Sequence, residues 1–102
     1  MKLDWQLLDH RMTLDHLGFL PEFLSDDDPR PAKDQFAANY VSGWRPFNGF
    51  KMGEDHSIAY PGDPTFLPLA QTRLRDELIC YYRSSWVAII QPDGNYEICR
   101  MD

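Results

Sequence analysis

WVAIIQPDGNYEICR, residues 86–100, decides what kind of fold this chain can adopt. Two apolar runs flank Pro92, Asp93 and Gly94. Proline arrives with φ already set, aspartate bonds to nearby backbone, and glycine reaches positive φ at little cost. That is the chemistry of a short hairpin loop closing through a bulge. Trp86, Val87, Ile89, Tyr96 and Ile98 have the shapes that pack on a pleated surface. The segment therefore predicts a β-hairpin.

Upstream, residues 78–82 (LICYY) are apolar at every position, as in a strand covered on both faces. Residues 69–75 fit a helix or a strand, and strand is preferred, with a turn at Asp76-Glu77. Three strands then form an antiparallel meander turning at Ser84-Ser85 and at 92–94. Pairing Arg83 with Trp86 and Gln91 with Asn95 assigns the faces through the two-residue period. One face carries Cys80, Tyr82, Val87, Ile89, Glu97 and Cys99. The other carries Ile79, Tyr81, Trp86, Ala88, Ile90, Tyr96 and Ile98, and as the richer face it is expected to receive helices. The Cys80 face then needs a cover: an aromatic loop, more sheet, or a second copy of the chain. Tyr82, Val87 and Ile89 are accordingly the candidate interface residues. The same register sets Cys80 and Cys99 two strand spacings apart, about 9.6 Å. Bridging requires Cα atoms within about 7 Å, so both are expected to be free, buried thiols.

Towards the N-terminus the pattern loosens. Leu3, Leu7 and Leu8 fit one helical stripe, and Leu14, Leu17 and Phe19 another, so residues 1–25 are expected to be helical. The repeated Leu-Asp-His at 8–10 and 14–16 leaves His10 and His16 about 120° apart on a helix, which does not converge on one metal. Ser25–Pro31 (SDDDPRP) reads as a loop, because adjacent aspartates repel and proline is excluded from a helix interior. A helix over about 31–41 follows, with Phe36 and Tyr40 on one face and Gly43 just past its end. The expected fold class is α+β: one domain spanning 1–102, with N-terminal helices packed on a C-terminal antiparallel β-meander of three to five strands.

Residues 43–68 hold four of the six glycines and four of the eight prolines, together with Trp44, Phe47, Phe50, Tyr60 and Phe66. Short strands at 50–52 and 57–60, joined through 53–56, fit the pattern. Long irregular loops in compact domains often carry function. The candidate binding residues are therefore Trp44, Arg45, Phe47, Phe50, Asp55, His56 and Tyr60. The plainer expectation is that these aromatics close the loop onto the core.

Composition narrows the function classes. A hydrophobic fraction of 43% is too high for a disordered chain. A net charge of −6 and a pI near 4.8 run against phosphate-backbone binding, so nucleic acid is not expected as a partner. Apolar runs such as 86–90 fall far short of the about 20 residues of a helical span, and acids interrupt the N-terminus where a leader would be apolar. A cytoplasmic protein with no membrane partner is expected. No Walker, dinucleotide or zinc spacing occurs, and no carboxylate, thiol or histidine is singled out for catalysis, so no catalytic residue, metal or cofactor is assigned. The expected function is a non-catalytic protein-binding or accessory module that self-associates as a homodimer through its sheet or aromatic loop. The alternative is a small enzyme or ligand-binding domain with a pocket between residues 44–60 and the sheet, rimmed by Arg45, Asp55, His56 and Tyr60.

Overall fold

The computed structural model describes residues 3–8, 24–39 and 45–100. They form strands β1 (Gln6–Leu7), β2 (Arg45–Pro46), β3 (Lys51–Met52), β4 (Ile58–Ala59), β5 (Ala70–Leu74), β6 (Glu77–Tyr81), β7 (Trp86–Ile90) and β8 (Tyr96–Arg100), with one α-helix, α1 (Ala32–Asn39). Six strands make one antiparallel sheet in the order β1-β5-β6-β7-β8-β2, and β3-β4 is a separate hairpin. The architecture is mostly β. This overturns the expected set of N-terminal helices on a sheet: α1 is the only α-helix among the described residues.

The N-terminal residues that are described explain part of the difference. Leu3, Trp5 and Leu7 point inward while Asp4, Gln6 and Leu8 are exposed, which is a strand's alternation and not a helix's stripe. Pairing of Gln6 with Gln71 and Leu7 with Ala70 makes this segment the edge of the sheet. The expected helical stripe at Leu14, Leu17 and Phe19 lies outside the described residues, as do His10, His16, Tyr40 and Trp44.

The β7–β8 hairpin has the expected register, with Gln91 N–H donating to the Asn95 carbonyl and Gly94 at φ 90°. The β6–β7 register differs by one residue. Cys80 pairs with Ala88 and Tyr81 with Val87, because three residues, Arg83–Ser85, make the connection between Tyr82 and Trp86. A one-residue slip turns every β6 side chain to the opposite face. Ile79 and Tyr81 thus join Val87 and Ile89, while Cys80 and Tyr82 join Trp86, Ala88 and Ile98. Cys80 and Cys99 fall on opposite sides of the sheet and are free.

Each face is covered by a different part of the chain. On the Val87 side, α1 lays down Ala32 and Phe36, joined by Leu24, Leu69 and Leu74. The helices' place was expected on the Trp86 side; the helix sits on the other one. On the Trp86 side the β3-β4 hairpin supplies Ile58, fully buried, with Phe50, Met52 and Phe66 packed around it. β6 is therefore buried along its whole length, as its unbroken apolar sequence requires.

Side chains from the sheet also tie down the helix and its approach. Glu77 accepts the Ala32 N–H at 3.0 Å, satisfying a donor that the first turn of a helix leaves orphaned. Buried Gln35 receives the Ser25 N–H and donates to the carbonyls of Ser25 and Arg30. Arg75, in the two-residue β5–β6 turn at Arg75-Asp76, donates to the carbonyls of Asp28 and Arg30.

Candidate aromatic binding site

The covering hairpin positions a ridge of aromatic rings at its open side. Trp86 begins β7 and faces the hairpin, where its ring lies 4.7 Å from that of Phe47 and 4.7 Å from that of Phe50. Phe50 in turn meets Tyr60 at 5.3 Å across the base of β3-β4. All three contacts are edge-to-face, the geometry favoured by the ring quadrupole. Tyr96 adjoins the ridge through its hydroxyl, which donates to the Phe50 carbonyl at 3.4 Å. The Arg100 guanidinium lies over the Trp86 ring, 5.5 Å from its centroid, a cation–π arrangement.

The backbone shapes this surface. β2 pairs Arg45 with Arg100 and Pro46 with Cys99, and the Phe47 N–H donates to the Ile98 carbonyl, which brings Phe47 beside Trp86. Gly49 takes φ 104°, and a Cβ there would stand 2.9 Å from the Tyr60 ring, so glycine permits the close approach of the two strands of the ridge.

Exposure is concentrated here. Phe47, Tyr60 and Tyr96 are 37%, 43% and 41% exposed, and only Leu8 and Leu67 match them among the large apolar side chains described. The expected interface residues lie elsewhere: Tyr82 and Val87 are fully buried and Ile89 is 2% exposed, because the hairpin and the helix cover them from within the same chain.

The candidate binding residues divide into two groups. Phe47, Phe50 and Tyr60 converge on the ridge, and Arg45 occupies the register position opposite Arg100. Trp44 lies outside the described residues. Asp55 and His56 are drawn instead into the β3–β4 turn. The Asp55 carboxylate accepts the Ser57 N–H at 3.1 Å, and bonding to Ser57 holds its pKa below the ordinary carboxylate value. His56 sits at φ 62°, and its carbonyl receives the Tyr82 hydroxyl. Asp55 shapes the turn, and the His56 carbonyl holds it to the sheet.

Trp86, Tyr96 and Arg100 belong to the site without having been singled out as binding residues. The signal for two of them was in the register: pairing Gln91 with Asn95 necessarily puts Arg100 opposite Trp86 on one face.

Other polar groups have structural roles. A concavity between the start of α1 and the β7–β8 turn is lined by Pro31, Glu77 and Gln91, but both Glu77 carboxylate oxygens are engaged, one by the Ala32 N–H and one by the Gln91 amide. Burial pushes the Cys80 and Cys99 thiols up to about 11 and about 12, the opposite of an activated nucleophile. Among the described residues, no helix is long and apolar enough to cross a membrane.

No protein-family model, no curated protein and no solved structure matches this chain.

Proposed function

We propose that the chain is a non-catalytic binding module whose aromatic ridge docks a protein partner. The observation that supports this most directly is the clustering of exposed rings at Phe47, Tyr60 and Tyr96 around Trp86 and Phe50. Aromatic and arginine side chains are the residue types that dominate interface centres. Phe47 and Phe50 each pack against Trp86, and Phe50 packs against Tyr60, so little side-chain freedom is left to lose on docking. A standard interface buries ~800 Å² per partner, and the ridge would form its centre. The two sheet faces offer no comparable surface, since their apolar side chains are covered by α1 and the β3-β4 hairpin.

Site-specific photo-crosslinking in the native host tests this. A benzophenone side chain in place of Tyr60 is expected to trap one discrete protein adduct, and one in place of Lys33 on α1 to trap none. Phe47→Ala in the same chain should abolish the adduct. Equal adducts at both positions, or none at Tyr60, would contradict docking through the ridge.

A further inference from the structure

We infer that Asn48 is a site of spontaneous covalent modification, losing its side-chain amide nitrogen through a cyclic imide formed with Gly49. Asparagine closes this five-membered ring when the next backbone nitrogen can reach its side-chain carbon, and glycine, with no Cβ, leaves that approach open. The chain has three asparagines, and the structure separates them. Asn39 donates through its side chain to the Gln35 carbonyl at 2.8 Å, Asn95 donates to the Asp93 carboxylate at 2.9 Å, and a tyrosine follows each. Asn48 is exposed and followed by glycine, and among the described residues neither its side chain nor the Gly49 N–H has a hydrogen-bond partner. Asp93-Gly94 could close the same ring by sequence, but its atoms are engaged. The Gly94 N–H donates to the Gln91 carbonyl at 3.0 Å, and the Asp93 carboxylate accepts the Asn95 N–H at 2.9 Å.

The step needs only water as co-reactant. The Gly49 nitrogen gives up its proton and bonds to Asn48 Cγ, and the Cγ–Nδ2 bond breaks as ammonia leaves with that proton. Water then opens the ring at one of its two carbonyls. Breaking the new Cγ–N bond leaves aspartate at position 48. Breaking the original peptide bond leaves isoaspartate, with the main chain routed through the side chain and one carbon longer. Either product sets a carboxylate between Phe47 and Phe50, and isoaspartate lengthens the backbone that spaces these two rings against Trp86. The chemistry is independent of what the ridge docks.

The test is prolonged incubation of the full chain at neutral pH, folded and in guanidinium chloride. Peptide mapping by mass spectrometry reads the exchange of NH for O, and electron-transfer fragmentation separates isoaspartate from aspartate. In the folded chain Asn48 is expected to convert about tenfold faster than Asn39 or Asn95, with Asp93 unconverted. Its rate should be about the same folded and unfolded, because the fold leaves both reacting groups free. Asn48→Gln, which would need a six-membered ring, should remove the signal without changing the far-ultraviolet circular dichroism. Conversion of Asn48 more than about tenfold slower in the folded chain than in denaturant would overturn the inference, since the fold would then protect the site. So would isoaspartate at Asp93 as abundant as at position 48 in the folded chain, or conversion of Asn39 or Asn95 as fast as that of Asn48.

Discussion

Asp28 illustrates how much one side chain can organise in a loop that looks, in sequence, like a solvated acidic run. Its carboxylate receives the Arg30 Nε, Nη2 and backbone N–H, with the shortest contact at 2.7 Å. These bonds, the side-chain pair first, lower its pKa from 3.8 to about 2. A carboxyl depressed in the folded state contributes stability that is present above the unfolded pKa and lost as pH falls through the folded value. The wild type should therefore lose stability between about pH 4 and pH 2, and Asp28→Asn should lose less across that window, read from urea midpoints at each pH. The cysteines give a second outcome at this scale. Both thiols are buried and both titrate well above neutrality, so iodoacetamide at pH 8 should modify neither in the folded protein and both in urea. That the cysteines stay unpaired was legible in the sequence, but their placement on opposite faces was not, because it depends on a turn of unstated length.

That turn belongs to the scale of elements. Ser84 and Ser85 both take positive φ, 60° and 66°, between Arg83, whose carbonyl accepts, and Trp86, whose N–H donates. Two positive φ values at the centre of such a turn are what Asn-Gly supplies most readily. Ser84→Asn with Ser85→Gly is thus expected to raise stability by roughly 0.5–2 kcal/mol, measured by denaturant unfolding, with the ridge unchanged. Sequence signals at Pro92, Asp93 and Gly94 defined the neighbouring hairpin because proline and glycine restrict the backbone at known positions. Serines carry no such restriction, so a two-residue and a three-residue connection looked alike, and β6 was faced the wrong way. The β3-β4 hairpin was legible, since Gly53 and the polar residues to His56 separate two short β-prone runs. What could not be read was its destination. Ile58 is the side chain of that hairpin that disappears completely into the sheet. Ile58→Ala should cost about 2–5 kcal/mol, with Tyr82 becoming accessible as the hairpin lifts.

At the scale of the whole molecule, the meander is filled from both sides by one chain: α1 and the N-terminal strand against Val87, and the β3-β4 hairpin against Trp86. Apolar side chains on both faces of the expected meander argue against a wet side, and a second copy is one solution to that excess. The chain supplies its own cover from the aromatic loop, which leaves the ridge at the hairpin's open side as the place where rings meet water. Half of the candidate site was readable there, because Phe47, Phe50 and Tyr60 sit on a glycine- and proline-rich frame. Trp86 lies 39 residues and Arg100 53 residues beyond Phe47, and the long-range pairing of β2 with β8 brings them beside it. The most direct test of this arrangement is a titration of the labelled protein with a soluble gadolinium chelate, followed by NMR relaxation of individual side chains. Strong broadening at Phe47, Tyr60 and Tyr96 with Tyr82, Val87 and Ile89 protected is the predicted result; broadening of Tyr82, Val87 or Ile89 as strong as that of the ridge would contradict it.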